Sequence, residues 1–314
     1  MKDRKAVLRF GSRSAVRLAD LALLVRAPAA LSVPGDVIAG AAAAGRPTGA
    51  RTLGIIGSSV CLYWAGMALN DYADATVDAV ERPERPVPSG RVPRRAALAV
   101  AGGLTAAGLG LAAAAGGRRS LLGALPLAGL VWAYNLKLKS TPAGAVAMAG
   151  ARTLDVLAGA LVPGPGAHST AEALRRSAVP AALVGIHTGT LMALSRHEIS
   201  GAPARVPAST LAVSAATALA TALPAKARAT NAKPRAGLAA AGALAYLGTY
   251  GSAQARAVQE PSGENVRRAV GAGILGLMPL QAALTARGGA PALAAALGIL
   301  HPLAGRLARR VSPT

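Results

Sequence analysis

Cysteine, aromatic rings and acid are all scarce in this chain. Cys61 is the one cysteine in 314 residues, which excludes an intramolecular disulfide and a cysteine-rich metal site. Aromatic residues make up only 3%, with a single Phe, and the apolar residues are largely Ala and Gly instead. Charged residues are 15% of the chain, where a soluble domain carries about a quarter. No small-residue cleavage site follows the basic N-terminus, no repeat of 20–50 residues is visible, and no linker interrupts the pattern. Those absences point to one membrane domain over 21–314, preceded by a basic, uncleaved leader over 1–20.

Apolar residues are what the chain has in quantity, at 53%, and the mean hydropathy is positive. They form long uncharged runs, among them 96–117, 206–225 and 236–255. A bilayer-spanning helix needs roughly 20 mostly apolar residues. One such run could be a buried core helix, but a succession of them is a polytopic α-helical bundle. The expected spans are 21–44, 53–69, 96–116, 120–136, 143–162, 178–195, 207–225, 236–254 and 269–286. A weaker tenth candidate, 290–306, is interrupted by His301 and Pro302. The small residues let helices approach closely in lipid, although a genomic GC bias would enrich Ala, Gly and Arg in the same way.

Most of the charge is basic, with 34 Lys and Arg against 13 Asp and Glu. In a soluble protein a net +21 would suggest a nucleic-acid partner. In a polytopic protein the better reading is topological, because Lys and Arg collect in cytoplasmic loops. With the N-terminus inside, the inside segments carry more Lys and Arg than the outside ones, by a modest margin. The expected location is the inner (plasma) membrane, multi-pass, with a cytoplasmic N-terminus and the lipid bilayer rather than nucleic acid as partner.

Acid, being scarce, is informative where it clusters. Asp71, Asp74 and Asp78 follow the second span at i, i+3 and i+7, so a continuing helix puts all three on one face, with Asn70 one turn before Asp74. Carboxylates that close repel and raise one another's pKa unless a cation compensates. Mg²⁺ takes oxygen ligands, typically one or two carboxylates together with substrate phosphates. The pattern therefore reads as a site for a metal-bridged diphosphate, against the plainer reading of a solvated acidic helix end.

The stretch 70–92, NDYADATVDAVERPERPVPSGRV, resembles the first signature of the UbiA superfamily of intramembrane prenyltransferases, with its Asn, three spaced Asp, Arg-Pro-x-Arg-Pro loop and Ser-Gly. The resemblance implies that Asn70, Asp71, Asp74 and Asp78 hold Mg²⁺ against the diphosphate of an isoprenoid donor, and that Arg82 and Arg85 contact phosphate oxygens. Arg suits that task through its planar fork of donors. Arg26 with Pro28 is similar to the opening of the family's first span. Tyr134–Lys139 resembles its segment after the fourth span, where a Tyr and a Lys face the diphosphate; Lys139 fits the Lys position better than Lys137, and either could be a positive-inside anchor. Tyr63, Trp64 and Tyr72 are the aromatics nearest this region.

The second acidic signature expected of the family is reduced to Ser195–Gly201, where Glu198 is the sole carboxylate and His197 stands beside it as a possible ligand, proton relay or plain interfacial residue. A branch associated with Ebo-type gene clusters bears a looser likeness in this segment. Two further acids fall within spans, which marks them as functional candidates. Asp155 has Arg152 three residues before it as a same-face partner, whereas Asp36 has no sequence-local partner and is the candidate for contacting an acceptor. The function implied is Mg²⁺-dependent transfer from a prenyl diphosphate to an unidentified acceptor. The alternatives are a non-catalytic prenyl-diphosphate binder or transport protein on the same fold and, last, a secondary transporter, for which no inverted halves are seen.

Overall fold

The structure, a computed structural model, describes residues 16–46, 48–164, 169–223 and 232–311. The expected leader therefore lies outside the described residues as far as residue 15. Everything described that has regular structure is helix. The elements are α1 (Leu18–Leu24), a 3₁₀ turn (Ala27–Ser32), α2 (Val33–Ala43), α3 (Ala50–Ala73), α4 (Ala75–Glu81), α5 (Arg94–Ala133), a π-helical turn (Tyr134–Leu138), α6 (Ala143–Ala160) and α7 (Thr170–Ser195). There follow α8 (Arg205–Ala222), α9 (Ala232–Tyr246), a second π-helical turn (Leu247–Gly251), α10 (Ser252–Gln259), α11 (Gly263–Arg287) and α12 (Pro291–Val311). Ala and Leu, the strongest helix formers, supply most of the interiors. Ser169 and Ser262 cap α7 and α11 by accepting the backbone N–H of Glu172 and Asn265.

Ala50–Ala73, Arg94–Leu138, Thr170–Ser195 and Gly263–Arg287 are long and apolar enough to cross a membrane by length and composition. The second of these is a hairpin rather than one rod. Gly117 at φ 63° and ψ −154° breaks the helix in a conformation open to glycine. Trp132 Nε1 donates to Thr105 Oγ1 at 3.0 Å. In a straight helix those residues would lie about 40 Å apart. The turn falls where 117–119 was expected to separate two spans.

The expected first span, 21–44, is not one helix. It breaks between α1 and α2, and Pro28 and Pro34 each stand in the first turn of a new helix, where the missing N–H is tolerated. Arg26, at φ 46°, is the one non-glycine residue with positive φ among those described. The tenth candidate forms a helix that continues through His301 and Pro302, with a shorter apolar stretch, Pro291–Leu303.

Glycine accounts for the closest helix contacts. A Cβ on Gly40 would sit 1.8 Å from the Val156 carbonyl oxygen, and one on Gly159 2.2 Å from that of Val37. The α2–α6 crossing is thus backbone against backbone. Gly102, Gly103 and Gly129 face open space instead, so packing explains some glycines and not others. Gly159→Val is expected to destabilise the bundle by at least about 1–3 kcal/mol, read as a lowered melting point in detergent, whereas Gly103→Val should leave it unchanged.

Candidate functional site

The acidic segment sits where α3 passes into α4. Asp74, at φ −89° and ψ 4°, interrupts the helix, yet i to i−4 bonding runs through it, from Asp74 N–H to Asn70 O at 2.9 Å and from Asp78 N–H to Asp74 O at 2.8 Å. The expected shared face therefore forms. Asp71 and Asp78 are almost fully buried, and Asp74 is part-exposed.

Basic side chains lie among these acids. Arg26 Nη2 reaches Asp71 Oδ1 at 3.1 Å and Asn70 Oδ1 at 3.4 Å. Arg85 Nη1 lies 2.6 Å from Asp78 Oδ2 and 3.7 Å from Asp71 Oδ1, bridging the two. Asn70 Nδ2 donates to Asp74 Oδ2 at 2.9 Å, and Lys139 Nζ pairs with the other Asp74 oxygen. The carboxylates are consequently engaged one by one, and among the described residues no three acid, His or Cys side chains converge on one point. The donor set itself fits a hard divalent cation, since every candidate ligand from Asn70 to Asp78 offers oxygen at one helix face.

The π-helical turn Tyr134–Leu138 brings Lys139 here. Its extra residue per turn, seen as Lys139 N–H to Tyr134 O at 2.9 Å, re-aims the chain just past α5. Lys139 thus joins the acidic face, while Lys137 is exposed. Arg85 joins it as well. Arg82 is exposed and makes no ion pair with the three Asp.

A cavity of about 220 Å³ opens beside this face. Arg26, Asn70, Tyr134 and Asn135 give it polar lining, and Gly66, Met67, Leu130, Val131, Ala147 and Met148 give it apolar walls. Tyr63 and Ala151 complete the lining. Tyr72 lies elsewhere, under the Arg94 guanidinium at 4.5 Å in the cluster around Val87 and Val92, and Trp64 does not line the cavity. Asn135 and the two methionines were not evident in the sequence. The π turn that turns Asn135 inward has no sequence signal of its own.

Behind Tyr63 lies a buried polar network. Arg152 Nε lies 3.1 Å from Asp36 Oδ2, and Gln281 Nε2 donates to Asp36 Oδ1 at 2.6 Å and to the Ser32 carbonyl at 2.7 Å. The Arg152 guanidinium also lies 5.3 Å from the Tyr63 ring centre. Arg152 was expected to neutralise Asp155 on its own helix; it pairs instead with Asp36 across the α2–α6 contact, and Asp155 accepts from Ser59. Asp36, the residue expected to contact an acceptor, has no accessible surface and is not among the residues that line the cavity.

The reduced second signature forms a turn after α7. Glu198 is half-buried, and that burial pushes its carboxyl above the ordinary value, with Arg267 and Arg82 opposing the shift. Neither Glu198 nor His197 pairs with the Asn70–Asp78 face among the described residues. In the C-terminal half, His187 Nδ1 lies 3.1 Å from the Tyr246 hydroxyl, and Thr190 Oγ1 lies 3.1 Å from that of Tyr250. This buried cluster was also missed, because its members are scattered through apolar runs.

Fold and site together define a polytopic helical membrane protein with an apolar cavity whose polar end carries paired acids and bases. Residues 31–258 match the UbiA prenyltransferase family, and the chain belongs to it. A digeranylgeranylglyceryl phosphate synthase of Methanopyrus kandleri is 43% identical over 110 residues, 35% of this chain and 38% of that protein. One of Ignicoccus hospitalis is 35% identical over 179 residues, 57% of this chain and 56% of that protein. The matched segments thus span well under two thirds of these relatives. Among solved structures, a UbiA homologue from Aeropyrum pernix K1 superposes with TM-score 0.60 at 18% identity, over 87% of this chain and 97% of that one. A homologue from Archaeoglobus fulgidus bound to GPP and Mg²⁺ gives TM-score 0.56 at 16% identity, over 82% and 99%. At those identities the likeness is one of fold.

Proposed function

We propose that the chain transfers an isoprenoid group from a prenyl diphosphate to an acceptor at the polar end of the cavity. The observation that carries this reading is the junction of an apolar cavity with the Asn70–Asp78 face, at which Arg26 and Asn70 belong to both. The tail would lie against Met67, Leu130, Val131 and Met148, and the diphosphate would meet Arg26, Arg85, Lys139 and Tyr134. Asn70, Asp71, Asp74 and Asp78 would hold Mg²⁺, which when bound supplies positive charge to the departing pyrophosphate. Arg26, Arg85 and Lys139 add fixed positive charge where negative charge develops. The apolar walls exclude water, and Tyr63 offers an aromatic face beside the tail. The cavity would open to the cytoplasmic leaflet of the plasma membrane, with the N-terminus inside.

The names of the Methanopyrus and Ignicoccus relatives make a glyceryl phosphate lipid the acceptor to try first. Purified protein in nanodiscs is expected to release pyrophosphate from geranyl, farnesyl or geranylgeranyl diphosphate only when Mg²⁺ and an acceptor are both present. A second reading, a prenyl-diphosphate binder or carrier, is favoured by Glu198 being the sole carboxylate in its segment and unpaired with the acidic face. It predicts Mg²⁺-dependent binding of the diphosphate with no release under any acceptor.

A further inference from the structure

We infer that Asn135 selects the acceptor, by accepting a hydrogen bond from the hydroxyl that attacks the prenyl chain. The inference rests on the donor-site reading above and adds to it the group that the acceptor must carry. The π-helical turn Tyr134–Leu138 turns Asn135 inward, where it is 6% exposed and lines the cavity. Its Nδ2 donates to the Val131 carbonyl, one turn back, at 2.9 Å. That bond ties the donor end of the amide to the backbone and leaves Oδ1 as its free end. Oδ1 accepts from no described residue and is not sealed away from the cavity. The rest of the polar lining is of another kind. Arg26 offers donors only. Asn70 is engaged at both ends, accepting from Arg26 at 3.4 Å and donating to Asp74 at 2.9 Å. The Tyr63 and Tyr134 hydroxyls can turn either way, so they do not select.

A free carbonyl oxygen is of no use to a diphosphate, whose oxygens are acceptors too. It fits a ligand that brings a hydrogen, and a hydroxyl is a neutral group that is both donor and nucleophile. Gly66 fixes the place. A Cβ on it would stand 3.6 Å from Asn135 Nδ2, so the amide lies against α3 at that residue. Gly66 precedes Asn70 by four residues, about 6 Å along the helix. Asn135 therefore sits about one turn inward from the acidic face, where a bound diphosphate ends and its prenyl chain begins. A hydroxyl that donates to Oδ1 keeps its lone pairs free for the first carbon of that chain. Its oxygen bonds to that carbon as the bond from carbon to diphosphate oxygen breaks, and the electron pair leaves on pyrophosphate. The hydroxyl proton passes to a pyrophosphate oxygen. The amide is no base; it orients the nucleophile.

The test compares two probes, an alkylglyceryl phosphate with its free hydroxyl and the alkoxypropyl phosphate that lacks only this hydroxyl. Each is bound to the full chain in nanodiscs with Mg²⁺ and inorganic pyrophosphate, so that no transfer occurs, and empty nanodiscs give the background. The wild type is expected to prefer the hydroxyl probe by roughly 3–10-fold, the net worth of one neutral hydrogen bond. Asn135→Leu is expected to bind the two probes alike while holding pyrophosphate as the wild type does. Asn135→Ser, whose hydroxyl can bond the same Val131 carbonyl, should also lose the preference and serves if the leucine variant fails to fold. In transfer, either variant should raise the KM for the hydroxyl acceptor and leave the KM for the prenyl diphosphate unchanged. A wild type that does not distinguish the probes, or binds neither, overturns the inference and leaves the donor site standing. A preference that survives in the variants also overturns it, because the hydroxyl is then read elsewhere. Weaker pyrophosphate or Mg²⁺ binding in the variants overturns it too, by placing Asn135 in the donor site. Failure of the wild type to bind pyrophosphate with Mg²⁺ overturns the donor-site reading, and the inference with it.

Discussion

Asp71→Asn combined with Asp74→Asn is expected to reduce Mg²⁺-dependent pyrophosphate release by at least about 10²–10³-fold, the loss usual when one group stabilising developing charge is removed. The substitution keeps the side-chain shape while turning one acceptor oxygen of each carboxylate into a donor nitrogen and removing two of the three negative charges on the face. Asp71 is almost fully buried beside Arg26 and Arg85, so its neutralisation also leaves those guanidiniums underpaired and lowers stability. Asp74, at 27% side-chain exposure and paired with Lys139, carries less of the fold. The single Asp74→Asn variant is therefore the cleaner probe, and it should lose release while melting close to the wild type. A double variant that releases pyrophosphate at the wild-type rate would sink the donor-site reading.

Much of this was legible in the sequence, and the reasons are specific. Apolar runs of bilayer length announced the helices of the bundle, and the short polar turn at 117–119 announced the hairpin that Gly117 makes. The i, i+3, i+7 spacing put the three Asp on one face because helix bonding does continue through Asp74. What failed was an inference that took sequence neighbours for spatial ones. Arg152 and Asp155 share a helix, but the glycine-mediated approach of α2 to α6 offered Arg152 the carboxylate of Asp36 instead. The Arg-Pro-x-Arg-Pro pattern also does not encode that Arg85 lies on the acids while Arg82 is exposed. The modest charge asymmetry also has a physical source. Arg46 donates to the Ala160 carbonyl at the end of α6 and Arg287 to the Ala220 carbonyl near the end of α8. Arg175 and Arg176 are paired with Glu172. Arginines at that end of the bundle cap helix C-termini or pair locally, so each has a structural role that a bare count of basic residues does not see.

The buried network supplies the second large effect. Arg152→Met is expected to destabilise the protein by about 3–5 kcal/mol, the loss found when one partner of a buried ion pair is removed. Asp36 has no accessible surface, and without Arg152 its remaining side-chain partner is Gln281, which bonds to only one of its oxygens. The uncompensated carboxylate would sit at the α2–α6 crossing, in the interior of a bundle that offers it no water. The double variant Asp36→Asn with Arg152→Met removes both charges and should recover most of the loss, because the cost lies in the orphaned charge rather than in the missing attraction. Asp155→Asn should be far milder, since Asp155 bonds to Ser59 through one oxygen and its other oxygen has no partner. Melting of the variants in one detergent tests this order. If Arg152 were paired with Asp155 along α6, Asp155→Asn would instead be as damaging as Arg152→Met, and Asp36→Asn would not rescue. Recovery in the Asp36/Arg152 double variant alone would establish that this ion pair ties the second half of the broken first span to α6, and so holds α2 in register behind the cavity.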